Sequence, residues 1–325
     1  MSNRQKIATS VATAFNLNVN PGLMVDAYSE PCHFTPKLDP NYQFRQEILS
    51  DILAWWGVGA KLKDGLYLTG PTGSGKSSVI CQLAARLNWP VQRITAHSRL
   101  EMPDMVGQHI IIDGDLVWQD GPLTIALREG HIFLLDEFDL LDPGTAAGLN
   151  GIVEGAPLVL AQNGGEVVHQ HPDFRFVATG NTNGGGDRLG VFQGTLQQNA
   201  ALMDRTWVVE VQYPTKEQEM AILEAVVPEV KADIRSTVID IANEIRGMFM
   251  GSDGNPGAIE VTMSTRTLIR WTYLSWFFQN KILQGISPYD YALDRALANR
   301  ASPETKVALH EIVQRHFGDI VGAAP

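Results

Sequence analysis

The sequence predicts an α/β fold in which a parallel five-stranded sheet lies between helices and is followed by a second, wholly helical domain. Three observations carry that prediction. Short β-like runs at 66–69, 91–95, 131–136, 174–179 and 207–212 alternate with longer helix-like stretches, as they do where parallel strands are joined by helical crossovers. The first run leads through a glycine-rich turn straight into a helical segment. From Pro214 onward the strand-like runs stop, and 216–227, 233–250, 265–283 and 305–317 read as helices. The expected organisation is an N-terminal extension over 1–45, an α/β domain over 46–213 and a helical domain over 214–325, without internal repeat or low-complexity tract.

Composition bounds the rest. In 325 residues, 44% hydrophobic content supplies a substantial core. A formal net charge of −11 argues against nucleic acid as the main partner, because neutralising phosphates dominates such binding. No apolar stretch approaches the roughly 20 residues of a membrane span, and the N-terminus lacks a signal-peptide core with a cleavage site, so a cytoplasmic location is expected. Cys32 and Cys81 are too few and too far apart for a disulfide framework or metal cage, and Cys81 reads as a small packing residue.

After the first strand, Gly70 to Ser77 reads GPTGSGKS, a complete G-x-x-x-x-G-K-[ST] phosphate loop. Gly70, Gly73 and Gly75 remove the side chains that would keep backbone N–H groups from phosphate oxygens. Lys76 reaches the β and γ oxygens, and Ser77 offers a hydroxyl to Mg²⁺. The following segment, 78–87, repeats apolar residues at Val79, Ile80, Leu83, Ala84 and Leu87. One helical face therefore packs on a sheet while the N-terminus turns its dipole to the phosphates. The expected nucleotide cradle comprises Gly70, Pro71, Thr72, Gly73, Ser74, Gly75, Lys76, Ser77 and Ser78, and ATP with Mg²⁺ is the expected cofactor.

The strand at 131–136 ends in two acids, Asp136 and Glu137, a Walker B pattern. A central parallel strand ends at the ligand crevice, so Asp136 can join Ser77 in holding Mg²⁺ while Glu137 deprotonates the attacking water. The pattern alone also fits a core strand with an acidic turn; the phosphate loop upstream favours the metal reading. Asp139 reads as structural. The strand at 174–179 runs into Gly180-Asn181, where an amide would meet both γ-phosphate and lytic water. On residue physics alone, a turn asparagine in a glycine-rich loop fits equally well.

Two hairpins are expected. One spans 110–118 around Asp113-Gly114, the other 158–168 around Asn163-Gly164. His169 and His171 lack the carboxylates or cysteines of a metal site and read as structural. Trp271, Tyr273, Trp276, Phe277 and Phe278 fall within one helix-like stretch and are expected to build the core of the helical domain. Tyr42 and Phe44 lie where the chain enters the α/β domain, and an aromatic contact to adenine there stays open.

The order of Walker A, Walker B, a strand ending ATGN, then LMDRT and MSTRTLIRW resembles the AAA+ superfamily, in the branch of MoxR-type ATPases, over residues 40 to 275. More narrowly, LDPNYQF, AARLNWP, HPDFRFVATGNT, QGTLQQNAALMDR and MSTRTLIRW resemble the small ATPase subunits of aerobic, cobalt-inserting chelatases. The resemblance implies an AAA+ P-loop domain followed by a helical lid, in a homo-oligomeric ring, a hexamer, with ATP at each subunit interface. Lys76 and Ser77 match the Walker A lysine and hydroxyl, Asp136 and Glu137 the Walker B pair, and Asn181 the sensor-1 asparagine. Arg205 matches the arginine finger that reaches a neighbour's γ-phosphate, against the alternative of a surface pair with Asp204. Arg266 matches the sensor-2 arginine, against an ordinary helix-start arginine. Thr265 stands where the family often has proline.

The resemblance also makes the first hairpin the insertion in helix 2 and the second the hairpin before sensor 1, both facing a pore or partner. The implied partners are a subunit with a von Willebrand factor A domain and a large chelatase subunit that places Co²⁺ in a corrin ring. A MoxR-type chaperone with a different von Willebrand-type partner, and a nucleotide-gated scaffold without required turnover, are the alternative readings; a nucleic-acid translocase ranks last on charge. Target choice falls to segments with little match, 1–37 and 251–261.

Overall fold

The computed structural model describes residues 5–187, 194–251 and 257–318. The ends of the expected extension and helical domain, 1–4 and 319–325, residues 252–256 of the unmatched segment and Gln193 of the QGTLQQNAALMDR stretch lie outside the described residues.

The strands are β1 (Lys6–Ser10), β2 (Met24–Tyr28), β3 (Gly65–Thr69), β4 (Val91–Thr95), β5 (Gly107–Ile112), β6 (Asp115–Asp120), β7 (Ile132–Asp136), β8 (Leu158–Leu160), β9 (Glu166–Val168), β10 (Arg175–Gly180) and β11 (Thr206–Glu210). Five of them form a parallel sheet in the order β11-β3-β10-β7-β4. Each of the five expected runs is a strand of this sheet, displaced by no more than two residues at an end.

Alternation along the strands splits the core into two layers. Leu66, Leu68, Ile132, Leu134, Val177 and Val209 pack with Val79, Ile80, Leu83 and Leu87 around helix Lys76–Arg86. Tyr67, Phe133, Leu135, Phe176 and Ala178 face the opposite layer, where Leu123, Ala126 and Leu127 of helix Pro122–Glu129 cover them. β3 and β7 are buried along their whole length, as strands covered on both faces must be. The residues expected as an N-terminal extension join the first layer: β1 and β2 pair antiparallel, and Val11, Phe15, Val25, Ala27 and Tyr28 enter its core. Asp173 fastens them, accepting from Lys6 Nζ at 2.7 Å and from Tyr28 Oη at 2.9 Å.

Both hairpins form. β5 and β6 turn at Asp113 (φ 53°) and Gly114 (φ 94°), the paired positive φ of a type I′ turn. Between β8 and β9 the positive φ values fall on Gly164 and Gly165 instead of Asn163. The pivot is shifted by one residue because two consecutive glycines take that region more readily than asparagine. Arg128 ties the hairpins together, its Nε 2.8 Å from Asp120 Oδ2 and its Nη1 2.7 Å from Glu166 Oε1.

After β11 the chain is helical: Lys216–Val226, Ala232–Met250, Thr265–Phe277, Pro288–Ala296 and Pro303–Phe317. The helix expected over 265–283 stops at Phe277 and continues as a 3₁₀ segment, Gln279–Gln284. Helix Pro288–Ala296 was not anticipated, although Ser287 caps it and proline opens it. The aromatic run divides. Trp271 is fully buried and donates to Tyr289 O, whereas Tyr273 and Phe277 are exposed, at 47% and 62%. Residues spaced by two or by six cannot share one face at 3.6 residues per turn.

A buried ion pair centres this domain. Arg246 Nη1 and Nη2 donate to Glu219 Oε2 and Oε1 at 2.8 and 2.7 Å, and Arg246 Nε donates to Met263 O at 2.7 Å. Among the described residues no helix is long and apolar enough to cross a membrane.

His310 lies between two carboxylates, Nδ1 2.6 Å from Asp290 and Nε2 2.9 Å from Asp294. The hydrogen bond to Asp290 raises its pKa above the ordinary imidazole value, burial opposes this, and Asp294 adds to the rise. A raised folded pKa means the pair stabilises fully below the unfolded value of about 6.5 and is lost as pH rises through the folded value. Thermal melts across this window should show the parent losing stability relative to His310→Gln as pH rises; parallel curves would contradict it.

Candidate functional site

β3 ends at Thr69, and the chain must then pass the end of β11. At Gly70 (φ 142°) an added Cβ would lie 2.3 Å from Val211 O, so only glycine turns there. At Gly73 (φ 75°) a Cβ would lie 2.4 Å from Ser264 Cβ, because the start of helix Thr265–Phe277 rests on the loop. The loop leads into helix Lys76–Arg86, whose first-turn amides have no partner within the helix and make an anion site. Lys76 is buried at 7% exposure, its Nζ donating to Gly70 O (2.7 Å), Pro71 O (3.0 Å) and Asn181 Oδ1 (3.0 Å). Burial lowers its pKa, against the pull of Glu137, Asp139 and Asp136.

Two acids at the end of β7 serve different neighbours. Asp136 accepts from Ser77 Oγ at 2.5 Å, from Thr179 Oγ1 and from Arg93. Burial alone would raise its carboxyl, but these three donors overcome that and bring it below the usual range. Glu137 sits at φ 56°, in the left-handed region, a sharp turn after the strand. Its Oε2 accepts from Asn181 Nδ2 at 2.9 Å. Burial raises its carboxyl, Asp139 and Asp136 raise it further, and Lys76 opposes. Asn181 therefore stands between the loop lysine and the second acid, taking Lys76 and Thr72 Oγ1 (3.3 Å) on its oxygen and giving its amide to Glu137.

Asp139, read as structural, does more specific work. Fully buried, its Oδ2 accepts the backbone N–H of Asn181 at 2.6 Å and of Thr182 at 3.0 Å, fixing the loop after β10. Ser77 and Asp136 offer hard oxygen donors beside the helix N-terminus, a set that suits Mg²⁺.

Lys76, Ser77, Asp136, Glu137 and Asn181 converge; Arg205 does not join them. Its carbonyl accepts from Gly65 N at 2.9 Å, so it lies at the opposite end of β3 from the loop, about 13 Å along the strand at roughly 3.3 Å per residue. Its guanidinium pairs with Glu154, Nε to Oε1 at 2.5 Å, not with Asp204. Arg266 is exposed, two residues beyond Ser264 on the loop. Thr265 has a reason to replace proline: its hydroxyl donates to Glu219 Oε1 at 3.0 Å. Tyr42 packs on Phe44 and Phe44 on Phe15, with burial pushing the Tyr42 hydroxyl up to about 12. The entry segment instead brings Arg45 to the loop, Nη2 donating to Ser74 O at 2.9 Å. His171 accepts from Asp173 N at 3.1 Å. Sequence reasoning passed over Arg93, Thr179 and Arg45. Only Thr179, beside the motif asparagine, carried a local signal.

Residues 65–206 match the AAA domain family (dynein-related subfamily), and residues 219–316 match the CbbQ/NirQ/NorQ C-terminal family. The aerobic cobaltochelatase subunit CobS of Sinorhizobium sp is 31% identical, over 98% of this chain and 93% of that protein. The denitrification regulatory protein NirQ of Stutzerimonas stutzeri is 30% identical, over 78% of this chain and 85% of its own. The protein NorQ of Paracoccus denitrificans is 29% identical, over 63% and 70%.

Replacing Asp139 by alanine strands the Asn181 and Thr182 amides. The expected cost is about 1–3 kcal/mol for each. Urea unfolding should record it, with faster hydrogen exchange at both amides; unchanged stability and exchange would contradict the assignment.

Proposed function

The chain belongs to the AAA+ ATPase family that includes CobS, NirQ and NorQ, and from that premise we propose that it hydrolyses ATP in a ring and remodels a partner complex. The observation that carries the reading is the Asn181 amide held between Lys76 and Glu137. The amides from Thr72 to Ser78 and the Lys76 ammonium hold the β- and γ-phosphates. Asn181 orients the attacking water, and Glu137 takes its proton; the forces that raise the Glu137 carboxyl make it a better base than an exposed glutamate. Ser77 and Asp136, whose oxygens lie side by side, would hold Mg²⁺. Mg²⁺, when bound, supplies divalent charge that offsets what builds up on the transferring phosphoryl group.

Arg205 lies a strand's length from its own loop, so it serves a neighbouring copy, offering its guanidinium to the γ-phosphate there. Arg266, at the rim of the loop, is the sensor-2 residue. Such a division requires a closed homo-oligomer, a hexamer in this reading. The likeness to CobS along nearly the whole chain supports an ATPase subunit of a cobalt chelatase-like assembly, acting with a von Willebrand A-domain subunit and a large chelatase subunit. The C-terminal family match and the NirQ and NorQ relatives support a second reading: a MoxR-type chaperone with a different von Willebrand A-domain partner.

Glu137→Gln should bind ATP within a few-fold of the parent and turn it over about 10²–10⁴-fold more slowly. Arg205→Ala should be comparably slow alone and regain turnover when mixed with Lys76→Ala, since each supplies what the other lacks. Full activity of Glu137→Gln, or no recovery on mixing, would refute these roles. Tagged Glu137→Gln in the native host should retain the large chelatase subunit; capture of another von Willebrand-type protein without it favours the chaperone reading.

A further inference from the structure

Tyr213 lies three residues past the end of the sheet domain's last strand, directly before Pro214, where the helical domain begins. Its ring lies 4.3 Å from the Arg246 guanidinium. That guanidinium belongs to a rigid block: paired twice with Glu219, which is fully buried, and bound to Met263 O. Thr265, also tied to Glu219, and Ser264, seated on Gly73, continue the same block. The Tyr213 hydroxyl donates to Thr72 O at 3.0 Å, with Thr262 Oγ1 at 3.4 Å. Thr72 then faces the other way with its hydroxyl, donating to Asn181 Oδ1 at 3.3 Å, and Asn181 donates to Glu137 at 2.9 Å. One aromatic side chain thus stacks on the helical domain and hydrogen-bonds the phosphate loop, one residue from the bond that orients the water-activating acid.

We propose that Tyr213 is a positioning residue that couples the seating of the helical domain to the geometry of Glu137 through Thr72 and Asn181. The inference rests on the ATP-hydrolysing reading of the same site. When the helical domain turns against the sheet, the Arg246 block carries the Tyr213 ring with it, and the phenol either keeps the Thr72 carbonyl in place or releases it. Released, the Thr72–Gly73 peptide is free to rotate, and its hydroxyl leaves Asn181. Tyr213 touches neither substrate nor the reacting atoms; it sets how long the orienting chain stays intact.

The test uses full-length parent, Tyr213→Phe, Thr72→Val and the double variant. Phenylalanine keeps the ring on Arg246 and removes only the hydroxyl, so melting temperatures should stay within a few degrees of the parent. Tyr213→Phe should lower kcat roughly threefold to tenfold, the worth of one hydrogen bond, with KM within about twofold. The double variant should fall no further than the weaker single variant, because both changes break one chain. Parental kcat in Tyr213→Phe, a loss confined to KM, or a double variant at the product of the two single effects overturns the proposal. A parent without ATP turnover sinks the underlying reading as well; a turning-over parent matched by Tyr213→Phe removes this inference alone.

Discussion

Parallel pairing of β3, β10 and β7 is the constraint on which the site depends. The register sets Thr69 beside Gly180 and Leu135 beside Ala178, so three strands end along one edge and their following residues meet. Lys76 and Asn181, 105 residues apart in sequence, come within 3.0 Å for this reason, and Asn181 and Glu137, 44 apart, within 2.9 Å. A shift of one residue would turn Asp136 and Glu137 to the wrong layers. The apolar alternation that fills both cores therefore also fixes the chemistry, and the cluster needs no flexible loop to assemble it.

Within that edge, unequal solvation separates otherwise similar carboxylates. Asp136 has three donors and is held below its ordinary pKa. Glu137 has one side-chain donor and two acidic neighbours, and is pushed up. Asp139 is pushed up chiefly by burial, with backbone amides, those of Asn181 and Thr182 foremost, opposing. The carboxylate with three side-chain donors holds its charge more readily, and the one with a single side-chain donor takes a proton more readily.

The helical domain follows another rule. Its centre is an ion pair removed from water, where the cost of desolvation offsets much of the attraction and the fixed geometry of the bonds remains. Here that geometry gives direction: Arg246 holds Met263 O and Glu219 holds Thr265, and these contacts seat Ser264 on the phosphate loop. Threonine at 265 gives up the helix-start advantage of proline and gains a bond to that pair. Charge at the opposite end of β3 is handled nearer the surface, where Arg205 pairs with Glu154.

By itself the sequence determined the elements whose causes are local. Glycine spacing and a following lysine made the phosphate loop, runs of apolar residues made the central strands, and Asp113-Gly114 made a turn because both positions must take positive φ. Local signals were blurred where several residues compete, so Gly164-Gly165 took the second turn from Asn163, and Tyr273 and Phe277 ended on the surface of a helix whose core face belongs to Trp271. Tertiary structure alone decided what depends on register and on packing between distant segments. Arg93 on Asp136, Asp139 under Asn181, Arg205 with Glu154 and Tyr213 between Thr72 and Arg246 involve partners 33 to 141 residues apart. No spacing rule within either segment encodes such a meeting; it exists only once parallel strands and a docked helical domain bring them to the same few ångströms.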